Sequence, residues 1–210
     1  AFFADAMPQK RGREDDEAVD VSVLKDYLKC EDTKLRDGAR EVLNQELIKR
    51  IEAVKALEAR TTEQSSFAAA LEAGVVQECR AELTACFRVG VRLESWLNTY
   101  TPPLSSGGNV GVSAEVQEGI YGNVHSLTQG CGEALHRMLA FEKEHAVMRT
   151  KCTDDAVWER YKPVLEDNQL HDLCKSVMQL HSDLLMIGNS ICNNLHHINI
   201  KEDRATVAMY

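Results

Sequence analysis

Two pairs of glutamate and histidine are the residues of this chain that most resemble a metal-binding pattern. They are Glu133-x-x-His136 and Glu142-x-x-His145, and both fall in one segment of helical spacing. Di-iron carboxylate bundles take such pairs from two different helices that face one centre. Here the pairs are nine residues apart, which rotates a helix by about 180° and advances it by about 13 Å. The two pairs therefore cannot share a metal, and we expect no metal site in this chain.

Other candidates for catalysis are no stronger. His196 and His197 are adjacent, so on a helix they point about 100° apart and cannot chelate together; a solvated surface or a role at the end of the last helix remains open. Cys79 and Cys86 are one heptad apart, which favours core positions over a nucleophile. No order of Ser, His and Asp or of Cys and His stands out. We expect neither an enzyme nor a cofactor.

Composition excludes several classes of partner. The chain has 210 residues, of which 44% are hydrophobic and 27% charged, and its net charge is −9. A phosphate-binding surface needs clustered Lys and Arg, so we expect no nucleic-acid partner. No run of about 18 apolar residues occurs, and we expect no membrane partner.

The cysteines and the first residues indicate a compartment. Seven scattered cysteines without a Cys-x-x-Cys favour reduced core thiols in a cytoplasmic or nuclear protein. The only basic cluster, Lys10–Arg13, is followed at once by the acidic run Glu14–Glu17. We interpret residues 1–17 as a solvated, flexible segment, and a weak nuclear-targeting signal as the alternative.

Apolar residues recur at helical rather than strand spacing along the rest of the chain. Residues 18–200 are therefore predicted to form an all-α, up-down-up-down bundle of four long helices. The fourth segment has a heptad seam, in which Asn194 interrupts the repeat and Leu195 takes over beside it. Its members are Leu170, Leu173, Val177, Leu180, Leu184, Ile187, Ile191 and Ile198. The second segment is predicted as one helix with apolar positions Leu71, Val75, Cys79, Leu83, Phe87, Leu93 and Leu97.

Polar and Pro-containing breaks separate the four helices. Residues 61–66 can end the first helix and cap the second, and Thr153 to Asp155 can cap the fourth. Pro163 is expected near the start of the fourth helix, at a kink or in the first turn. Gly119, Gly122, Gly130 and Gly132 in the third helix indicate either local softness or close approach of a neighbouring helix, within the bundle or from another subunit.

A Gly-rich loop and the chain end form one further pattern. Because short connections make neighbouring helices antiparallel, the loop at 102–111 and the tail at 201–210 are predicted to lie at the same end of the bundle. The loop candidates are Pro103, Leu104, Ser105, Ser106, Gly107, Gly108, Asn109, Val110 and Gly111. The tail candidates are Val207, Ala208, Met209 and Tyr210.

Taken with Trp96-Leu97, the loop and tail resemble those of the eleven-S (REG) family of proteasome activators. That family has a Trp-Leu, a proline and a Gly-Asn-Asn-Phe-Gly-Val loop, and often ends in a hydrophobic residue followed by Tyr. The stretch Ile191–Ile198 also resembles the family's Ile-Leu-Lys-Asn-Ile-Glu-Lys-Ile. This chain departs from the family pattern at Ser105-Ser106, Gly108 and Val110, and it lacks the charged insert of several members between the first two helices.

The resemblance implies a heptameric ring that docks on the outer-ring (alpha) subunits of the core proteasome. The tails Val207–Tyr210 would anchor in pockets between those subunits, and the loop Pro103–Gly111 would push on the turn that keeps the gate shut, without ATP. The alternative is a homo-oligomeric helical scaffold or adaptor with no proteasome activity. The composition and the heptads fit this alternative equally well.

Overall fold

A computed structural model describes residues 22–99, 110–195 and 198, with backbone alone over 110–114. These residues contain helices and no strand, so the all-α prediction is confirmed. The elements are α1 Ser22–Glu41, a π-helical turn Val42–Glu46, α2 Leu47–Thr62, α3 Phe67–Glu72, α4 Val75–Thr99, α5 Val110–Lys151 and α6 Asp155–Asn194.

These elements form four long rods. The first rod runs from α1 through the π-helical turn into α2 without a break, because Glu41 and Leu47 on either side keep helical dihedral angles. The second rod is α3 with α4, the third is α5 and the fourth is α6. Helix α4 packs on α5, α5 on α6, and α6 on α2, and α2 completes the circuit against α4. The up-down-up-down bundle predicted from the sequence is confirmed.

The heptad seam of α6 forms one side of the core. Leu173, Val177, Leu184, Ile187 and Ile191 are almost fully buried, as the spacing predicts. The seam ends differently from the expectation, since Leu195 is 45% exposed while Ile198 is buried. Leu195 therefore does not replace Asn194 in the core, because a neighbouring position on a helix points about 100° away.

The second rod is divided, where the sequence predicted one helix. Ser66 caps α3, with its Oγ accepting the N–H of Ala69 at 3.1 Å. Gly74 then adopts a φ of +73°, a left-handed conformation that suits glycine and ends a helix. The expected core positions Leu71 and Phe87 are exposed. The break changes which face of α3 meets the core, and Phe87 lies at the edge of the α4 stripe.

The connection between the third and fourth rods matches its prediction in part. Helix α5 ends at Lys151 and Asp154 caps α6, with its Oδ1 accepting the N–H of Ala156 at 2.8 Å. Pro163 lies inside α6 rather than in its first turn. A proline there removes one backbone hydrogen bond, which a long helix held by packing on both sides tolerates.

Polar contacts join each neighbouring pair of rods. Arg92 of α4 reaches both ends of the π-helical turn, donating to Glu41, the residue before it, at 2.6 Å and to Glu46, its last residue, at 3.0 Å. Other contacts of this kind are Arg50 Nη1 to Glu82 Oε2 at 2.7 Å, Glu94 Oε1 to His125 Nδ1 at 3.1 Å, Asn123 Nδ2 to Ser190 Oγ at 3.2 Å, and His181 Nδ1 to Glu58 Oε2 at 2.6 Å.

All seven cysteines are free, but they are not all core thiols. Cys79, Cys86 and Cys131 are buried, and burial raises the pKa of Cys79 to about 11 and that of Cys131 to about 12. Such thiols are almost entirely protonated near neutral pH and are poor nucleophiles. Cys30 and Cys192 are exposed, which corrects the expectation for these two.

Among the described glycines, Gly90 of α4 has the tightest approach to a neighbouring rod, and it was not among the glycines singled out from the sequence. A Cβ on Gly90 of α4 would lie 2.4 Å from Oγ1 of Thr128 on α5. In contrast, a Cβ on Gly119, Gly122 or Gly130 would meet nothing within 4 Å. The prediction of a close approach within the bundle is therefore wrong for these three glycines, because they face outward.

We expect Gly90→Ala to lower the free energy of unfolding by about 1–3 kcal/mol, because the added methyl group overpacks a tight contact. Adding Thr128→Ala should restore part of that loss by removing Oγ1. The control is Gly130→Ala, which gains helix propensity at an open position and should stabilise by up to about 1 kcal/mol. Urea unfolding monitored by circular dichroism measures all three. Equal stabilisation by Gly90→Ala and Gly130→Ala would contradict the close contact.

Candidate functional site at the loop-bearing end of the bundle

Three helix termini meet at one end of the bundle. Gln117 of α5 is buried and donates from Nε2 to the carbonyl oxygen of Leu97, in the last turns of α4, at 3.0 Å. Asn123 of α5 donates to Ser190 near the end of α6 at 3.2 Å. The segment that joins α4 to α5 and the chain beyond α6 therefore start from the same end of the bundle. We call this the loop-bearing end.

The last turns of α4 give the loop-bearing end a rigid base. Trp96 and Leu97 are both buried, with Trp96 only 1% exposed, and they pack in the same core as Ile120 of α5. The indole Nε1 of Trp96 has no hydrogen-bond partner in the described part of the chain. An unpaired buried donor costs free energy, so Trp96 is held there by its apolar packing.

Most of the site residues predicted from the sequence lie outside the described residues. These are Pro103–Asn109 of the loop and all four tail residues, Val207–Tyr210; His196 and His197 lie outside as well. The last two predicted loop residues, Val110 and Gly111, are in the first turn of α5. The sequence offered a signal for this boundary, because Asn109 precedes Val110 and asparagine favours the position before a helix.

The Glu-x-x-His pairs face different neighbours. Oε2 of Glu133 lies 3.8 Å from Nη1 of Arg137 in the same helix, and Glu142 pairs with Arg80 of α4. The ring of His145 packs edge-on against Trp158, with 5.0 Å between ring centroids. In the described part of the chain no group of three or more His, Cys, Asp or Glu residues could hold a metal ion.

A further surface at this end was missed by sequence reasoning. Val23, Leu24, Tyr27 and Leu28 form an exposed apolar stripe on α1, and Val23 is 77% and Tyr27 63% exposed. Their i, i+1, i+4 and i+5 spacing is that of one helix face. The sequence therefore contained a signal for this exposed apolar face. We call these four residues the α1 stripe.

The α1 stripe extends beyond the body of the bundle. Gly38 of α1 lies beside Arg92 of α4, whose Nη2 donates to the Gly38 carbonyl oxygen at 3.3 Å. From Gly38 to the start of α1 at Ser22 is about 24 Å, whereas from Arg92 to the end of α4 at Thr99 is about 10 Å, at 1.5 Å per residue. The first turns of α1 therefore pass the last turn of α4, where the described part of the chain does not cover them.

Over the residues that the structure describes, no helical stretch combines the length and the hydrophobicity that a transmembrane span requires. No family model matches the chain, and no curated protein matches it by sequence. Among solved structures, the fold is similar to the crystal structure of the 11S subunit of the Plasmodium falciparum proteasome, PA28. The superposition has a TM-score of 0.68 at 10% sequence identity and covers 86% of this chain and 96% of that one. At this identity the similarity shows a shared fold.

Proposed function

We propose that this chain is the subunit of a proteasome activator that docks on the core proteasome and opens its gate without ATP. The observation that carries the proposal is the fold similarity to the 11S subunit of the Plasmodium falciparum proteasome, which covers most of this chain and nearly all of that one. The loop and tail patterns are independent of that similarity, since they come from the sequence. The α4–α5 connection and the chain beyond α6 also start from one end of the bundle, where one partner surface could meet both.

In the proposed mechanism the tail binds the core proteasome and the loop opens its gate. Residues Val207–Tyr210 anchor in pockets of the outer (alpha) ring of the core proteasome. One short tail binds weakly, but several tails on one rigid ring raise the effective concentration of each later contact. Residues Pro103–Gly111 then contact the gate differently in its closed and open states. Such a differential contact shifts the equilibrium between the closed and the open gate towards the open one. Both the cytoplasm and the nucleus are compatible locations.

The proposed assembly is a ring of identical subunits, most simply of seven. A head-to-tail interface closes into a ring when its rotation allows. The α1 stripe is a candidate for one half of that interface, because exposed apolar patches of this kind mark association surfaces. Gly119 and Gly122 on α5 leave an open surface near the same end, which could form the other half.

Replacing both Leu24 and Leu28 by glutamate is expected to convert the ring to monomers, because the charges remove the apolar surface. Native mass spectrometry should show about seven copies for the unchanged protein and one for the variant. Circular dichroism should remain helical, since both side chains are exposed. Lys25→Glu with Lys29→Glu on the same helix is the matched control and should keep the ring. A monomeric unchanged protein at micromolar concentration would contradict the assembly.

Removing Met209 and Tyr210 is expected to abolish binding to the core proteasome and leave the oligomer intact, because the anchor is lost while the bundle is untouched. Co-sedimentation with purified core proteasome measures binding, and hydrolysis of small fluorogenic peptides measures activation. A truncated ring that still co-sediments would show that the tail is not the anchor. An unchanged ring that neither binds nor activates would favour the helical scaffold.

Gly108→Val and Asn109→Tyr are expected to separate binding from activation, because the tails remain while the loop is altered. Either variant ring should compete with the unchanged ring for proteasome and fail to stimulate peptide hydrolysis. Gly108→Asn restores the residue of the eleven-S loop pattern and should stimulate at least as well as the unchanged chain. Full stimulation by the Val and Tyr variants would mean that the loop only connects two helices.

A further inference from the structure

A cleft of about 400 Å³ opens at the end of the bundle opposite the loop-bearing end. Its walls come from α3, from the first turns of α4, from the C-terminal part of α5 and from the N-terminal part of α6. The volume is in the range of sites that hold small ligands or parts of peptides. None of the residues assigned to docking or gate opening contributes to it.

The floor of the cleft is apolar and partly aromatic. Phe67 and Phe141 meet edge to face, with 5.0 Å between their ring centroids. Val76 and Met138 continue this floor and are buried, while Leu71 is 47% exposed at the cleft. A large apolar side chain entering here would cover Leu71 and remove its own surface from water.

One wall of the cleft carries a polar group without a partner. Gln169 of α6 lines the cleft and is only 6% exposed, yet its carboxamide makes no hydrogen bond with any of the described residues. A carboxamide has two N–H donors and an acceptor oxygen. The carboxamide atoms of Gln169 are not among the fully buried polar atoms that lack a partner in the described residues, so they keep some exposure. Because this residue lines the cleft, its carboxamide suits a ligand that supplies both a donor and an acceptor.

A second acceptor lies one turn away on the same wall. Glu166 precedes Gln169 by three residues, so both project from one face of α6. Oε1 of Glu166 lies 3.8 Å from Nζ of Lys162 and 3.8 Å from Nε2 of His145, beyond hydrogen-bond distance in both cases. The carboxylate can therefore accept an N–H from a ligand without breaking a hydrogen bond.

The charges around the cleft cancel. Two cations, Arg80 and Lys162, face two carboxylates, Glu142 and Glu166, and Arg80 is engaged by Glu142. The cleft thus has no net charge that would select an anion or a cation.

We propose that this cleft binds an uncharged peptide segment that carries one large apolar side chain. The side chain packs on Phe67, Met138 and Phe141, and the adjoining peptide group pairs with the carboxamide of Gln169. A neighbouring N–H of the peptide donates to Glu166. The proposal rests on the geometry of α3 to α6 and not on the proposed function at the other end of the bundle.

The test uses the purified full chain alone and a neutral capped pentapeptide, acetyl-Gly-Gly-Phe-Gly-Gly-amide. Saturation-transfer NMR should detect binding, with the strongest transfer to the phenylalanine ring. The same peptide with Ala in place of Phe should bind at least about tenfold more weakly, because it leaves the floor unfilled. Peptides with Asp or Lys beside Phe should bind no more tightly than the neutral one.

Two variants locate the binding. Ala68→Trp, at an exposed position that lines the cleft, should block it, whereas Ala56→Trp at an exposed position on α2 should not. Gln169→Leu keeps the packing volume but removes the carboxamide, and it should weaken binding about tenfold; Gln129→Leu on the exposed side of α5 is the control. Unchanged binding by Ala68→Trp or by Gln169→Leu, equal binding of the Ala and Phe peptides, or clearly tighter binding of a charged peptide would overturn the proposal.

Discussion

Burial of the apolar seam of α6 along its whole length is the constraint on which the rest of this structure depends. A stripe that repeats every three and four residues from Leu170 to Ile191, over about six turns, needs partners of comparable length. Helix α5 provides one side, and α2 with α3 provides the other. Because α5 and α2 both run antiparallel to α6, the last turn of α6 lies at the end of the bundle where α4 ends and α5 begins. The relation between loop and tail on which the proposed function depends is thus a by-product of core packing.

Apolar packing alone does not fix how far each rod is shifted along its neighbour. The polar contacts between rods add that information, since each pairs residues at one axial level: Arg92 with Glu41 and Glu46, Glu94 with His125, Asn123 with Ser190, and Glu58 with His181. Their net contributions to stability are modest, because most of these side chains are partly exposed. Their value lies in specificity, as a shift by one turn would unpair several at once. The loop-bearing end therefore has a defined geometry although no disulfide joins the described rods.

The sequence predicted the parts of this fold that follow from periodicity and local chemistry. The α6 seam and the caps Ser66 and Asp154 belong to this group, because each depends on residues close together in the chain. The π-helical turn at Val42–Glu46 and the contact between Gly90 and Thr128 could not be predicted, since both depend on a neighbouring rod. Gly74 and the spacing of the α1 stripe are both visible in the sequence, and they indicate the helix break and the exposed apolar face. The role proposed for Gln169 could not be predicted either, because only a structure shows that this residue lines a cleft.

The chain has only two tryptophans, and the fold places them at opposite ends. Trp96 lies in the last turns of α4 at the loop-bearing end, and Trp158 lies in the first turn of α6, against His145 and beneath the guanidinium of Arg149. Helix α6 alone spans about 60 Å, so the two indoles are too far apart to share a local environment. Each end of the rod therefore carries its own intrinsic fluorophore. Emission recorded after replacing one indole would report, without any attached label, on events at the other end alone.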